Sequence, residues 1–274
     1  IYRVVAIKIW RQFVNNLDSQ NNLARAFENQ KVLIPYLTFG DPSIEISEQL
    51  ATAAFDAGAG IVEFGIPFSD PIADGAVIQA SHQRALDANP LISLDDAFSC
   101  RRRLKEKYPQ PVVFMLSVNL VLCYGIDRFF ESASASGLDG VIIPDLPVEE
   151  ATLYLSASRR TGVPIVFLVS HLCDPKRLPA IVEASEGFVY LISSVGVTGE
   201  RSHISSDLAD VVAAIKAVKD IPVAVGFGVS SPEHVRFIMS FSDGAIVGSH
   251  LIKQIMEGDN PVTCLKHEIA ALLG

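Results

Sequence analysis

GVIIPDLPVEEATLYLSASRRTGVPIVFLVS, residues 140–170, decides the fold. An apolar run, GVIIP, leads into the helical pattern ATLYLSASRRTG, and a second apolar run, PIVFLVS, follows. Both apolar runs are continuous rather than alternating, as required of parallel strands covered on both faces. Strand, crossover helix and parallel strand form one βαβ unit. Runs of the same kind recur at VLIPYLT (32–38), IVEFGI (61–66), PVVFMLSV (111–118), FVYLIS (188–193), PVAVGFG (222–228) and GAIVGS (244–249). Between them lie further helical patterns such as IEISEQLATAAFDAGA and SSDLADVVAAIKAVKD. Eight strands, each followed by a helix, predict a (β/α)8 TIM barrel. A doubly wound open sheet is the competing arrangement, but no GxGxxG follows the first strand.

The bulk composition agrees. A chain of 274 residues, 49% hydrophobic and 19% charged, can bury one large core, and no linker, low-complexity tract or charge block divides it. We expect one barrel domain over 16–274, with an N-terminal helix. A net charge of -9 without a strong basic run argues against nucleic-acid partners. Cys100, Cys123, Cys173 and Cys264 form no CxxC pair, which suits reduced thiols in the cytoplasm better than a disulfide or zinc framework. No apolar run approaches the roughly 20 residues that span a bilayer. The stretch IYRVVAIKIWRQFVNN carries Arg3, Lys8, Arg11 and Trp10 but lacks the serine-rich composition and small-residue cleavage site of a leader. Residues 1–15 are read as an N-terminal extension or a misplaced start.

A barrel places its active site at the C-terminal ends of the strands. In IVEFGIPFSDPIADG (61–75), alternation puts Ile61, Glu63 and Gly65 on one face and Val62, Phe64 and Ile66 on the other. The bulky set suits the helix-facing layer, so Glu63 points into the barrel with Gly65 leaving space above it. A buried carboxylate costs several kcal/mol unless it is paired, hydrogen-bonded or protonated, so Glu63 is either a structural partner or a functional acid. Asp74 lies in Asp-Gly, which is equally an ordinary turn signal. GFG (226–228), VGSH (247–250) and GVTG (196–199) each read alone as turn glycines, but together they supply glycines and a helix start suited to a phosphate after the last strands. Tyr190 shares the inward face of its strand with Phe188 and Ile192, and its hydroxyl would meet either a structural partner or a ligand.

Taken with PYLTFGDP (35–42), EFGIPFSDPIADG (63–75), PDLPVEE (144–150), YLISSVGVTG (190–199), GFGVSSPEHV (226–235) and IVGSHLIK (246–253), the chain resembles the tryptophan synthase alpha subunit family over roughly residues 20–270. The resemblance implies a lyase that cleaves indole-3-glycerol phosphate to indole and glyceraldehyde 3-phosphate. It makes Glu63 and Asp74 the catalytic acids and Tyr190 an active-site tyrosine. It assigns Gly199, Gly228, Gly248 and Ser249 to the phosphate, Tyr36 and Phe227 to the pocket, and Thr198 to a loop that meets Asp74. It also implies no cofactor in this chain, a beta subunit carrying pyridoxal phosphate as partner in an alpha2-beta2 complex, and contact with that partner through Pro67, Asp70 and Pro71. A weakly catalytic activator of a beta subunit and a free-standing lyase are the alternatives. Ala76, Ser117 and Ser194 depart from the family's usual proline, tyrosine and arginine.

Overall fold

The computed structural model describes residues 22–71, 74–192, 201–226 and 228–274, the side chains of 201–206 excepted. The expected extension over 1–15, Ser194, Thr198, Gly199 and Phe227 lie outside the described residues.

Among the described residues nine strands run parallel: β1 (Val32–Thr38), β2 (Val62–Gly65), β3 (Val112–Met115), β4 (Gly140–Ile142), β5 (Ile165–Val166), β6 (Leu168–Ser170), β7 (Val189–Ile192), β8 (Val223–Gly226) and β9 (Gly244–Val247). Their spatial order is β5-β4-β3-β2-β1-β9-β8-β7-β6. The ninth strand arises because PIVFLVS is broken at Phe167. Its first half pairs with β4 and its second with β7. The Phe167 carbonyl accepts the Tyr190 N–H at 3.1 Å, so the two ends of the order meet in one chain segment and the sheet curls into a barrel. An open doubly wound sheet would leave those ends apart.

Alternation along the strands sorts side chains into two cores. Val32, Ile34, Ile61, Val113, Ile142, Val166, Phe188, Ala224 and Ile246 fill the barrel, and Leu23 and Phe27 join them. Val62, Phe64, Val112, Phe114, Val141, Val189, Val225 and Ala245 form the layer against the helices. Leu23 belongs to the single helical turn Asn22–Arg25, which stands where an N-terminal helix was expected. Near the strands' N-terminal ends, buried Asp139 accepts hydrogen bonds from Arg101 Nη2 at 2.7 Å, Val112 N–H at 2.9 Å and Asn22 Nδ2 at 2.8 Å. One carboxylate thereby ties a helix, a strand and the N-terminal turn at the end opposite the site.

Two additions to the plain β/α alternation shape the opposite rim. The helix Ala76–Ala88 is inserted between β2 and the barrel helix Leu94–Lys107, and Val118–Tyr124 follows β3. The inserted helix begins directly after Asp74-Gly75, so its first turns stand over the open end of β1 and β2. Its inner face presents Ser81, His82 and Ala85, all buried, and the Ser81 and Thr38 hydroxyls lie 2.6 Å apart. Among the described residues no helix is long and apolar enough to cross a membrane.

Candidate active site

Glu63 sits in β2 between Tyr36 of β1 and Val113 of β3, fully buried on the inward face that alternation predicts. Neither of its carboxyl oxygens has a hydrogen-bond partner among the described residues. No cation or hydroxyl among the described residues satisfies it as the structural alternative would require. Burial raises its pKa to about 8, with the charge of Asp74 adding to the effect. The group is therefore mostly protonated at neutral pH. The space above Glu63 that Gly65 was expected to leave is filled by the Tyr36 ring: a Cβ at Gly65 would collide with the phenol.

Asp74 ends the loop that leaves β2. Its N–H donates to the Pro71 carbonyl at 3.3 Å, and its own carbonyl accepts from Gln79 Nε2 at 2.7 Å. Asp74 is thus a turn residue, yet it also lines the rim cavity, so the two readings of Asp-Gly hold together. Burial raises its carboxyl to about 6, which leaves it mostly ionised at neutral pH. Two neighbouring carboxyls consequently rest in opposite states, one holding a proton and one able to accept a hydrogen bond.

The cavity at the rim measures about 570 Å³. Tyr36, Asp74 and Tyr190 line one part of it, and Gly228, Ser230, Gly248, Ser249, His250 and Lys253 line another. Glu63 is not in the lining; it lies in the buried strand layer, close enough to both tyrosines that ionising it would raise their phenols further. Desolvation holds both phenols well above their usual range, so each stays a hydrogen-bond donor. The Tyr190 ring lies against Gly226, where a Cβ would come within 2.5 Å of its hydroxyl.

The glycine end presents backbone amides to the cavity. Gly228 adopts φ +75°, a left-handed conformation suited to glycine, just past β8. Gly248 caps the helix Ser249–Glu257 without a side-chain cap bond. The first amides of that helix have no intrahelical acceptor, and the helix dipole favours negative charge there. Lys253, one turn on, adds a cation to the lining.

Of the three residues expected at a partner contact, Asp70 is exposed, Pro71 is partly exposed and Pro67 is buried. Asp70 and Pro71 line a small lobe beside Asp74, and Pro67 lines a separate surface cavity of about 360 Å³ with Ile92, Leu120 and Tyr124. Ala76 simply starts the inserted helix, and the Ser117 hydroxyl donates to Asp145 at 2.7 Å. Sequence reasoning passed over Gln79 and His82. The signal for His82 was the pattern Ile78, Ser81, His82, Ala85, a helical stripe that carries an imidazole onto an inward face; exposed Gln79 lies off that stripe.

Fold and site together define a (β/α)8-barrel protein with an unequal pair of acids and an anion-ready helix start on one rim. Residues 23–272 match the family model described as tryptophan synthase alpha chain. The tryptophan synthase alpha chain of Thermococcus kodakarensis is 42% identical over 243 residues, 88% of this chain and 96% of the relative. That of Caldanaerobacter subterraneus is 40% identical over 239 residues, 87% of this chain and 90% of the relative. The tryptophan synthase alpha chain structure from Legionella pneumophila superposes with a TM-score of 0.84 at 30% identity, covering 92% of this chain and 96% of that one. A chain of the tryptophan synthase complex from Pyrococcus furiosus gives 0.80 at 37% identity, covering 89% and 99%. The chain belongs to the tryptophan synthase alpha chain family, and with it to the lyases of tryptophan biosynthesis.

Proposed function

We propose that this chain cleaves indole-3-glycerol phosphate to indole and glyceraldehyde 3-phosphate in the rim cavity, with Glu63 and Asp74 as its acid–base pair. The observation that carries this reading is the fully buried Glu63 carboxyl, without a hydrogen-bond partner among the described residues, behind a rim cavity that Asp74 lines. Burial raises both carboxyls, Glu63 above neutrality and Asp74 below it. The phosphate sits on the amides at Gly228, Gly248 and Ser249, which leaves the indole ring toward Asp74 and the tyrosines. Glu63 reaches the substrate by a rotamer change out of its strand layer, a small cost beside that of a buried charge.

The reaction then follows from the protonation states. Glu63 gives its proton to indole C3, and the positive charge that develops at the ring nitrogen is stabilised by the Asp74 carboxylate accepting the N–H. The resulting Glu63 carboxylate takes the proton of the glycerol hydroxyl next to the scissile bond. That oxygen's electrons form the aldehyde carbonyl, the carbon–carbon bond breaks, and its electron pair restores the indole ring. Glu63 ends protonated, as it began. The phenol of Tyr190 donates toward the reacting part of the substrate, and Tyr36 walls the indole side. Thr198 is carried over to the loop, Gly199 to the phosphate and Phe227 to the pocket from the family resemblance alone, since all three lie outside the described residues.

We further place the chain in the cytoplasm beside a beta subunit that holds pyridoxal phosphate, in an alpha2-beta2 assembly, with Asp70 and Pro71 offered at the contact and Pro67 beneath it. The superposition on a chain of the Pyrococcus furiosus complex supports that partnership. This chain itself brings no cofactor to the cleavage proposed. Purified chain incubated with indole-3-glycerol phosphate should release glyceraldehyde 3-phosphate, and a cognate beta subunit should raise the rate at least about tenfold by favouring the competent loop arrangement. No glyceraldehyde 3-phosphate with or without the beta subunit would overturn the proposal.

A further inference from the structure

His82 lies on the buried face of the helix Ala76–Ala88 and is only 4% exposed. Its imidazole is approached from two directions. Nδ1 accepts the backbone N–H of Phe68 at 3.3 Å, near the start of the segment that leaves β2. Nε2 lies 2.9 Å from the Tyr36 hydroxyl and 4.0 Å from Asp74 Oδ2, near the end of the same segment. Both sides of the segment that carries Asp74 therefore converge on one ring.

The partners fix the tautomer. A backbone amide can only donate, so Nδ1 must be the bare nitrogen and the neutral ring carries its hydrogen on Nε2. Burial keeps the ring neutral, with a pKa lowered to about 4. The Nε2–H then faces two acceptors, a neutral phenol oxygen in hydrogen-bond range and a carboxylate about 1 Å beyond it. In this structure Nε2 bonds to Tyr36 and the carboxylate lies beyond hydrogen-bond distance; closing that gap of about 1 Å would give the charge-assisted and stronger bond. Asp70 and Asp145, the other acids around this small lobe, have no hydrogen bond to the ring among those described.

We propose that His82 is a positioning residue for the cleavage reaction: its Nε2–H orients the Asp74 carboxylate toward the substrate, and Tyr36 holds the donor when Asp74 does not. This rests on the reading of Asp74 as acceptor of the indole N–H. The pairing does two things that packing alone would not. It sets which Asp74 oxygen faces the cavity, and it couples that choice to the Tyr36 phenol on the same wall.

The test compares His82→Leu, His82→Gln, Asp74→Asn and the double variant His82→Leu with Asp74→Asn, in single-turnover and steady-state cleavage of indole-3-glycerol phosphate. Misplacing the acceptor by about 1 Å should lower kcat by about ten- to a hundredfold in His82→Leu while KM stays within about threefold. Glutamine can present an amide N–H near the position of Nε2, so His82→Gln should recover most of that loss. If His82 acts through Asp74, the double variant should be no slower than Asp74→Asn alone. Full kcat in His82→Leu alongside an inactive Asp74→Asn would overturn this proposal and leave the acid pair standing. Multiplied losses in the double variant, or equal losses in His82→Leu and His82→Gln that track a lowered Tm, would also overturn it, as a structural role. Near-normal turnover in Asp74→Asn would instead remove the reading of Asp74 on which it rests.

Discussion

Replacing Glu63 with glutamine should change how stability depends on pH, and the magnitude follows from the buried carboxyl. Its pKa in the folded chain is about 8 against a reference value of 4.5. Between those values the folded state binds a proton that the unfolded chain releases, so stability falls as pH rises through this window and the loss levels off above the folded pKa. At about 1.4 kcal/mol per pH unit, a rise from 4.5 to about 8 corresponds to roughly 5 kcal/mol when the carboxyl is forced to ionise inside the barrel. The glutamine variant has nothing to ionise and escapes this term. Asp74 is also raised, to about 6, but it is present in both proteins and largely cancels in the comparison. Chemical denaturation of parent and Glu63→Gln at pH 5 and pH 8.5 measures the difference. The parent should lose at least about 2 kcal/mol more than the variant between the two conditions, a floor well below the full figure because water entering the rim cavity can solvate the ion. Parallel stability–pH curves would show that Glu63 is not held protonated and would refute the reasoning.

Three further perturbations probe other parts of the account. Gly65→Ala puts a methyl into the Tyr36 ring, so it should cost about 1–3 kcal/mol of stability by denaturation and lower cleavage at least about tenfold. Gly248→Asp puts a negative charge at the helix start, where an added Cβ meets only an ordinary contact, 3.4 Å from Tyr36 Cβ; binding of glycerol 3-phosphate by titration calorimetry should weaken by more than about tenfold while the Tm stays near the parent's. Arg101→Met removes the fully buried cation from Asp139, which keeps Lys105 at 3.2 Å and two neutral donors, and should destabilise by about 1.5–3 kcal/mol in a denaturation series, with the KM for substrate unchanged at the far rim.

Much of this architecture could be read from the chain because parallel strands buried on both faces leave a simple signature. VLIPYLT and GAIVGS are apolar throughout, and period-two alternation put Glu63 on the inner face before any contact was known. The break at Phe167 was not legible, since PIVFLVS is uniformly apolar and the interruption reflects how the sheet curls between β4 and β7. Asp74 stayed ambiguous because a turn aspartate and a cavity aspartate have the same local sequence; only the fold shows that the turn opens onto the rim. Arg101 was hidden in RRRLKEK, where three arginines look alike, although Asp139 draws only one of them inside. His82 was missed because its partners, Tyr36, Phe68 and Asp74, come from two other stretches of chain that meet only when β1 and β2 pair. Sequence periodicity reports which face a residue is on, not which groups share that face from elsewhere.

The central claim is that Glu63 moves the protons and Asp74 holds the developing charge, and turnover of indole-3-glycerol phosphate by Glu63→Gln and Asp74→Asn tests it most directly. Both substitutions keep the size of the side chain; the first removes the proton that moves, and the second removes the negative charge that holds the developing cation. With glyceraldehyde 3-phosphate release as the readout, each should lower kcat by at least about 100-fold, with KM changed by less than about threefold. A Glu63→Gln protein that turns over at near the parent rate would contradict the account at its root.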